Sequence, residues 1–90
     1  MFPSTTNDAE ALALSALTQT LADERRAQRF LDLTGIETIS LRQRVADGDR
    51  TLFAALFDFL EAHEPDLIAV ASALAVRPEA LIAAREVLER

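Results

Sequence analysis

The residues of this chain predict an all-α fold, a compact bundle of five to six short helices, and three observations carry that prediction. Alanine, the strongest helix former, occurs 17 times and leucine 14 times, while valine and isoleucine together number eight. The two glycines and three prolines are too few for a turn-rich β-protein, and four of the five stand where a helix would start or stop. Between those punctuation marks apolar residues recur every three or four positions. At 90 residues the chain has room for one domain, taken as residues 8–90 behind a disordered tail of residues 1–7.

The first helix is expected over residues 8–22. Asn7 and Glu10 have capping-box spacing, and Leu14, Leu17 and Leu21 share a face that Leu12 does not. Asp23 is placed to cap a second helix over residues 24–33, with Ala27, Phe30 and Leu31 inward. Thr34-Gly35 ends it, with Gly35 in the left-handed conformation and Ile36 supplying the apolar contact beyond the cap. Thr38 or Ser40 is expected to cap a short third helix ending near Ala46, with Leu41 and Val45 burying together.

Asp47-Gly48-Asp49 reads as a turn, with Asp49 the cap of a fourth helix over residues 50–62. On that helix Phe59, Leu52, Leu56, Leu60, Phe53 and Phe57 cover an arc of about 160°, more than a surface helix needs. Either the helix is central in the bundle or part of its face meets a partner. Pro65 suits the first position of a fifth helix reaching Val76, with Asp66 its one charge after that proline. Such a segment is expected to be buried nearly all round. Pro78 opens a sixth helix running to about Glu89, with Leu81, Ala84 and Leu88 inward. Arg85 lies between those leucines, either snorkelling along the core edge, the favoured reading, or pairing with a carboxylate.

Composition also narrows function. No cysteine is present, so the chain offers no disulfide, thiol nucleophile or thiolate metal site. The longest apolar run, residues 67–76, falls well short of the roughly 18 residues that span a bilayer, and the N-terminus lacks a secretory pattern. A cytoplasmic protein without a membrane partner is the expectation. His63 has Glu61, Glu64 and Asp66 around it, but Glu61 and His63 are two apart and cannot share a helix face, and Pro65 interrupts the segment. It reads as a solvent-facing histidine at a helix C-terminus, with no metal and no cofactor. Four serines, one histidine and no glycine-rich loop give nothing for nucleophilic or phosphate chemistry, so no enzyme is expected.

The last two helices have the lengths of a helix-turn-helix, with Arg85 on the second, which makes a small DNA-binding regulator the alternative function. Charge opposes it: residues 51–90 carry seven acids and three arginines, where a phosphate-binding face needs net positive charge. The positive region is residues 25–50, with six arginines against four acids. Arg25 and Arg29 share a helix face with Arg26 beside them, and Arg42 follows on the third helix. This region is either a solvated face with internal salt bridges or a docking face for an acidic protein partner. The resulting expectation is a non-enzymatic protein-interaction module. Its candidate residues are Arg25, Arg26, Arg29 and Arg42, with Phe53 and Phe57 from the wide arc. A homodimer through that arc is one form it could take.

Two stretches carry a family resemblance. One is Phe30-Leu31-Asp32-Leu33-Thr34-Gly35-Ile36, continuing to Leu41-Arg42. The other is Phe57-Asp58-Phe59-Leu60 through Glu64, then Leu67-Ile68-Ala69 and Val76-Arg77-Pro78-Glu79-Ala80. Together they resemble domain-of-unknown-function family 3572, small alphaproteobacterial proteins, from about Glu10 to Leu88. Where many members have proline near positions 37–39, this chain has Glu37-Thr38-Ile39. The family has no established activity. Its members are often encoded near a two-component response regulator, so the resemblance implies a signalling neighbourhood.

Overall fold

The computed structural model describes residues 6–90. Six helices follow one another: α1 (Thr6–Ala22), α2 (Glu24–Thr34), α3 (Thr38–Ala46), α4 (Arg50–Ala62), α5 (Glu64–Ala73) and α6 (Pro78–Leu88). Thr6 and Asn7 are helical, so the domain begins before residue 8 and Asn7 lies inside α1 rather than at its cap. The rest of the expected tail, residues 1–5, lies outside the described residues.

The caps follow local chemistry. The Asp23 carboxylate accepts the Arg26 N–H at 2.9 Å, and Asp49 accepts those of Thr51 and Leu52 at 2.8 and 3.3 Å. Each satisfies helix N–H groups that have no intrahelical acceptor. Gly35 (φ 69°) closes α2 by donating to the Leu31 carbonyl. After α3, Gly48 (φ 63°) donates to Val45 O and Asp49 to Arg44 O, the paired bonds of a Schellman end. The α3 start differs from expectation. Glu37 is the cap residue and makes no side-chain cap bond, and the Ser40 hydroxyl donates back to the Glu37 carbonyl.

The fifth helix stops three residues earlier than its apolar run suggests. Leu74, Ala75 and Val76 donate to Val70, Ser72 and Ala71, and Ala75 takes a left-handed φ of 56°. The motif is the one Gly48 makes after α3, with a Cβ at the position that disfavours one. It turns the chain by 96° into α6.

The core settles the open question about α4. Leu52, Phe53, Leu56, Phe57, Phe59 and Leu60 are all buried, and the helix packs on α2, α5 and α6. Phe53 and Phe57 are each 2% exposed, so the wide arc is consumed inside the molecule, and both leave the candidate docking residues. Each such burial is worth about 1.5–3 kcal/mol. Phe30 of α2 meets Phe59 edge-on, with ring centroids 5.4 Å apart at 80°.

On α1 the residues buried in full are Ala9, Ala13, Ala16 and Thr20, with Leu17 beside them, while Leu14 and Leu21 are half-buried with Leu12. The expected leucine face therefore flanks an alanine seam. Small side chains let α1 approach its neighbours closely, and its most extensive packing is on α6, which buries Ala80, Leu81, Ala84 and Leu88. Thr20 satisfies its buried hydroxyl on the Ala16 carbonyl at 2.8 Å.

Two helices are less buried than expected. No α3 residue is fully buried, and Leu41 and Val45 only lean on the core. In α5 Asp66, Leu67, Val70 and Ala71 face inward, whereas Ile68, Ala69, Ser72 and Ala73 are exposed. That helix lies on the bundle's surface because α4 occupies its centre. No single helix among the described residues is long and apolar enough to cross a membrane.

Candidate interaction surface

The arginines of residues 25–50 separate into engaged and free groups. Arg29 reaches from α2 across to α5, where it donates to the Asp66 carboxylate, and its guanidinium carbon lies 5.5 Å from the centroid of the Phe59 ring. Arg44 donates to Asp49 at 2.8 Å. Arg50 donates to the Leu88 carbonyl at the end of α6, where a cation complements the helix dipole, and approaches Glu10. Arg25 and Arg42 are exposed on α2 and α3, and their guanidinium groups make no hydrogen bond or salt bridge among the described residues. Arg26 is half-buried, and its Nε finds no hydrogen-bond partner there. The backbone bond from Arg26, then the charges of Arg26 and Arg25, hold the Asp23 carboxyl below its ordinary range.

Arg85 is not a snorkelling residue. Its guanidinium donates to Glu61 at 2.7 Å, to Glu89 at 2.9 Å and to Asp58, joining α4 to α6. The bonds to Glu61 and Glu89, then to Asp58, push its pKa upward, so the charge is permanent. The arginine was placed on the inward side by its leucine neighbours. Glu89 lies one turn on, within reach of spacing arguments, whereas Asp58 and Glu61 come from a helix more than 20 residues earlier, beyond it.

His63 sits at the junction of α4 and α5 with its side chain exposed, as expected of a helix C-terminus. Its Nδ1 stands 3.0 Å from Asp66 Oδ2, the oxygen that also takes Arg29. No group of three or more His, Asp or Glu side chains able to hold a metal occurs among the described residues. Of the three flanking carboxylates only Asp66 meets the ring: Glu61 goes to Arg85, and Glu64 lines a different cleft.

A groove of about 540 Å³ runs between α2 and α4. Ala55, Phe59 and Ala62 contribute apolar lining, and Arg29, His63 and Leu33 line it as well. Thr34 and Ala55 are shared with a second hollow of about 430 Å³ below the α2–α3 turn. The four large aliphatic residues exposed among the described residues are Leu33 (76%), Ile39 (87%), Ile68 (49%) and Ile82 (36%). Leu33 and Ile39 flank the α2–α3 turn, while Ile68 and Ile82 share a cleft between α5 and α6. A signal for Leu33 was present in the sequence, since at 100° per residue it falls about 160° from Leu31, off the inward face.

No curated protein and no solved structure matches the chain. Residues 6–90, all six helices, match the family described as protein of unknown function (DUF3572), and the chain belongs to that family.

Proposed function

We propose that this protein is a non-enzymatic interaction module that presents its α2–α3 side and the adjoining α2–α4 groove to an acidic protein segment. The observation that carries this reading is Leu33. It is left 76% exposed at the edge of a groove lined by Ala55, Phe59 and Ala62, so apolar surface there is continuous and uncovered by the bundle. Arg29 and Arg25 lie one and two turns before it on the same helix, and Arg42 is free on α3. An incoming segment would seat an apolar side chain against Leu33 and Phe59 and set carboxylates towards those arginines. The Arg29–Asp66 pair and Phe59 hold Arg29 in place before any partner arrives.

The test is an affinity capture from source cytosol with mass spectrometry, using wild type, Leu33→Asp and Arg25→Glu. A protein retained by wild type and lost from both variants supports the reading. Identical captures by all three overturn it.

DNA binding through α5 and α6 is the second reading, favoured by their 96° bend across a four-residue connection, within the helix-turn-helix range. Against it, Arg85 is occupied by three carboxylates and α6 also carries Glu79 and Glu86. Salt-dependent binding of duplex DNA at micromolar protein would favour this reading; no binding at low salt removes it.

A further inference from the structure

We infer that the cleft between α5 and α6 docks the α2–α3 side of a second copy of this chain, an inference that rests on the proposed role of that side. The cleft, about 360 Å³, is lined by Leu67, Ile68, Pro78 and Ile82, with Glu64, Glu79 and the Arg85-bound Glu61 at its polar positions. Glu64 precedes Ile68 by one turn on α5, and Glu79 precedes Ile82 by one turn on α6. Both glutamates are exposed and neither makes a hydrogen bond or ion pair among the described residues. The opposing side repeats the arrangement with the charge reversed. Leu33 follows Arg29 by one turn on α2, and Ile39 precedes Arg42 by one turn on α3.

All four exposed large aliphatics of the described residues are thus divided into two pairs, one among arginines and one among glutamates. The charge of the wider segments agrees: residues 25–50 hold six arginines against four acids, and residues 64–90 hold five acids against three arginines. An exposed isoleucine or leucine is poorly satisfied by water. Glu64, Glu79 and Arg42 beside three of them have no ion-pair partner among the described residues, while Arg29 beside Leu33 is paired with Asp66. Joining the two sides covers both apolar pairs and neutralises both charges. Because the two surfaces differ, the contact is head-to-tail rather than a repeated patch meeting itself, so its products are rings or short chains. Association is expected to be weak and salt-sensitive, as for a small interface with charged rims.

Sedimentation velocity tests this with the whole chain, at protein concentrations from about 10 µM to about 1 mM and sodium chloride from about 20 to about 500 mM. Wild type is expected to gain mass with concentration at low salt and to return towards 9.9 kDa at high salt. Two charge-reversed variants follow, Glu64→Arg/Glu79→Arg and Arg25→Glu/Arg42→Glu. All four positions are exposed, and circular dichroism checks that each variant is folded. Each variant alone is expected to associate at least about tenfold more weakly than wild type. An equimolar mixture is expected to associate again, because each variant then meets an opposite charge. A wild type that stays monomeric throughout, variants that associate like wild type, or a mixture that does not recover would each overturn the inference. Retention of a different protein by Leu33 in the capture experiment, with wild type monomeric, would overturn the inference and leave the proposed function standing.

Discussion

Replacing Ala75 by glycine should stabilise this protein. Ala75 adopts φ 56° at the end of α5, where Val76 donates to Ala71 O at 3.0 Å and Ala75 to Ser72 O at 3.0 Å. A left-handed backbone costs a residue with a Cβ about 1–2 kcal/mol, through crowding against the following carbonyl oxygen. Glycine removes that cost and returns about 0.5–1 kcal/mol of it by giving the unfolded chain more freedom. The side chain is exposed, so no core contact is lost. The net expectation is a gain of about 0.5–1 kcal/mol. With about 2.1 cal/mol/K of unfolding entropy per residue over 90 residues, Tm rises by about 3–5 °C. Thermal unfolding followed by circular dichroism reads this directly. Ala69→Gly is the control, because Ala69 is exposed in the right-handed interior of the same helix and its loss should lower Tm by about as much. Two alanine-to-glycine changes six residues apart should therefore move Tm in opposite directions. If Ala75→Gly leaves Tm unchanged or lowers it while Ala69→Gly behaves as stated, the αL reading of this turn is wrong.

Ala13→Leu, in the fully buried seam of α1, should overpack the core and cost about 1–3 kcal/mol, read as a lower urea midpoint at unchanged slope. Arg85→Met should lower the urea midpoint, because Asp58, Glu61 and Glu89 would be left facing one another; raising salt should recover part of the loss. On acidification stability should fall. Asp49 is held below its ordinary pKa, first by Arg44 and then by the Thr51 and Leu52 N–H groups, and Asp23 first by the Arg26 N–H. A carboxylate with a lowered folded pKa contributes in full above its unfolded value of about 3.9 and loses that contribution as pH falls through the folded value. Thermal melts between about pH 6 and 2 should therefore show a falling Tm below about pH 4, and Asp49→Ala should flatten that fall while lowering Tm at neutral pH. Leu33→Asp should leave Tm within about 1–2 °C of wild type, since the side chain is exposed, so any lost partner reflects the surface and not the fold.

What the sequence determined by itself is the set of six helices and most of their ends. Asp23, Gly35, Asp49, Pro65 and Pro78 act on backbone groups within a few residues of themselves, so their effect is contained in a short window of chain. The α4 arc was equally legible, because six large apolar side chains at helical spacing must be covered by something. Whether that cover was core or partner depended on which helices arrived beside it, and α2, α5 and α6 bury all six side chains, leaving only the edge of Phe59 in the α2–α4 groove. The same holds for α1, where leucines predicted the buried face and close approach favoured the alanines instead. Arg85 and Arg29 found carboxylates 24 to 37 residues away, and Ala75 was forced into a glycine conformation by the angle at which α6 must leave α5. Helix formation is decided by interactions within a few residues, whereas burial, ion pairing and the exposure of Leu33, Ile39, Ile68 and Ile82 depend on distant neighbours, which only tertiary packing brings together.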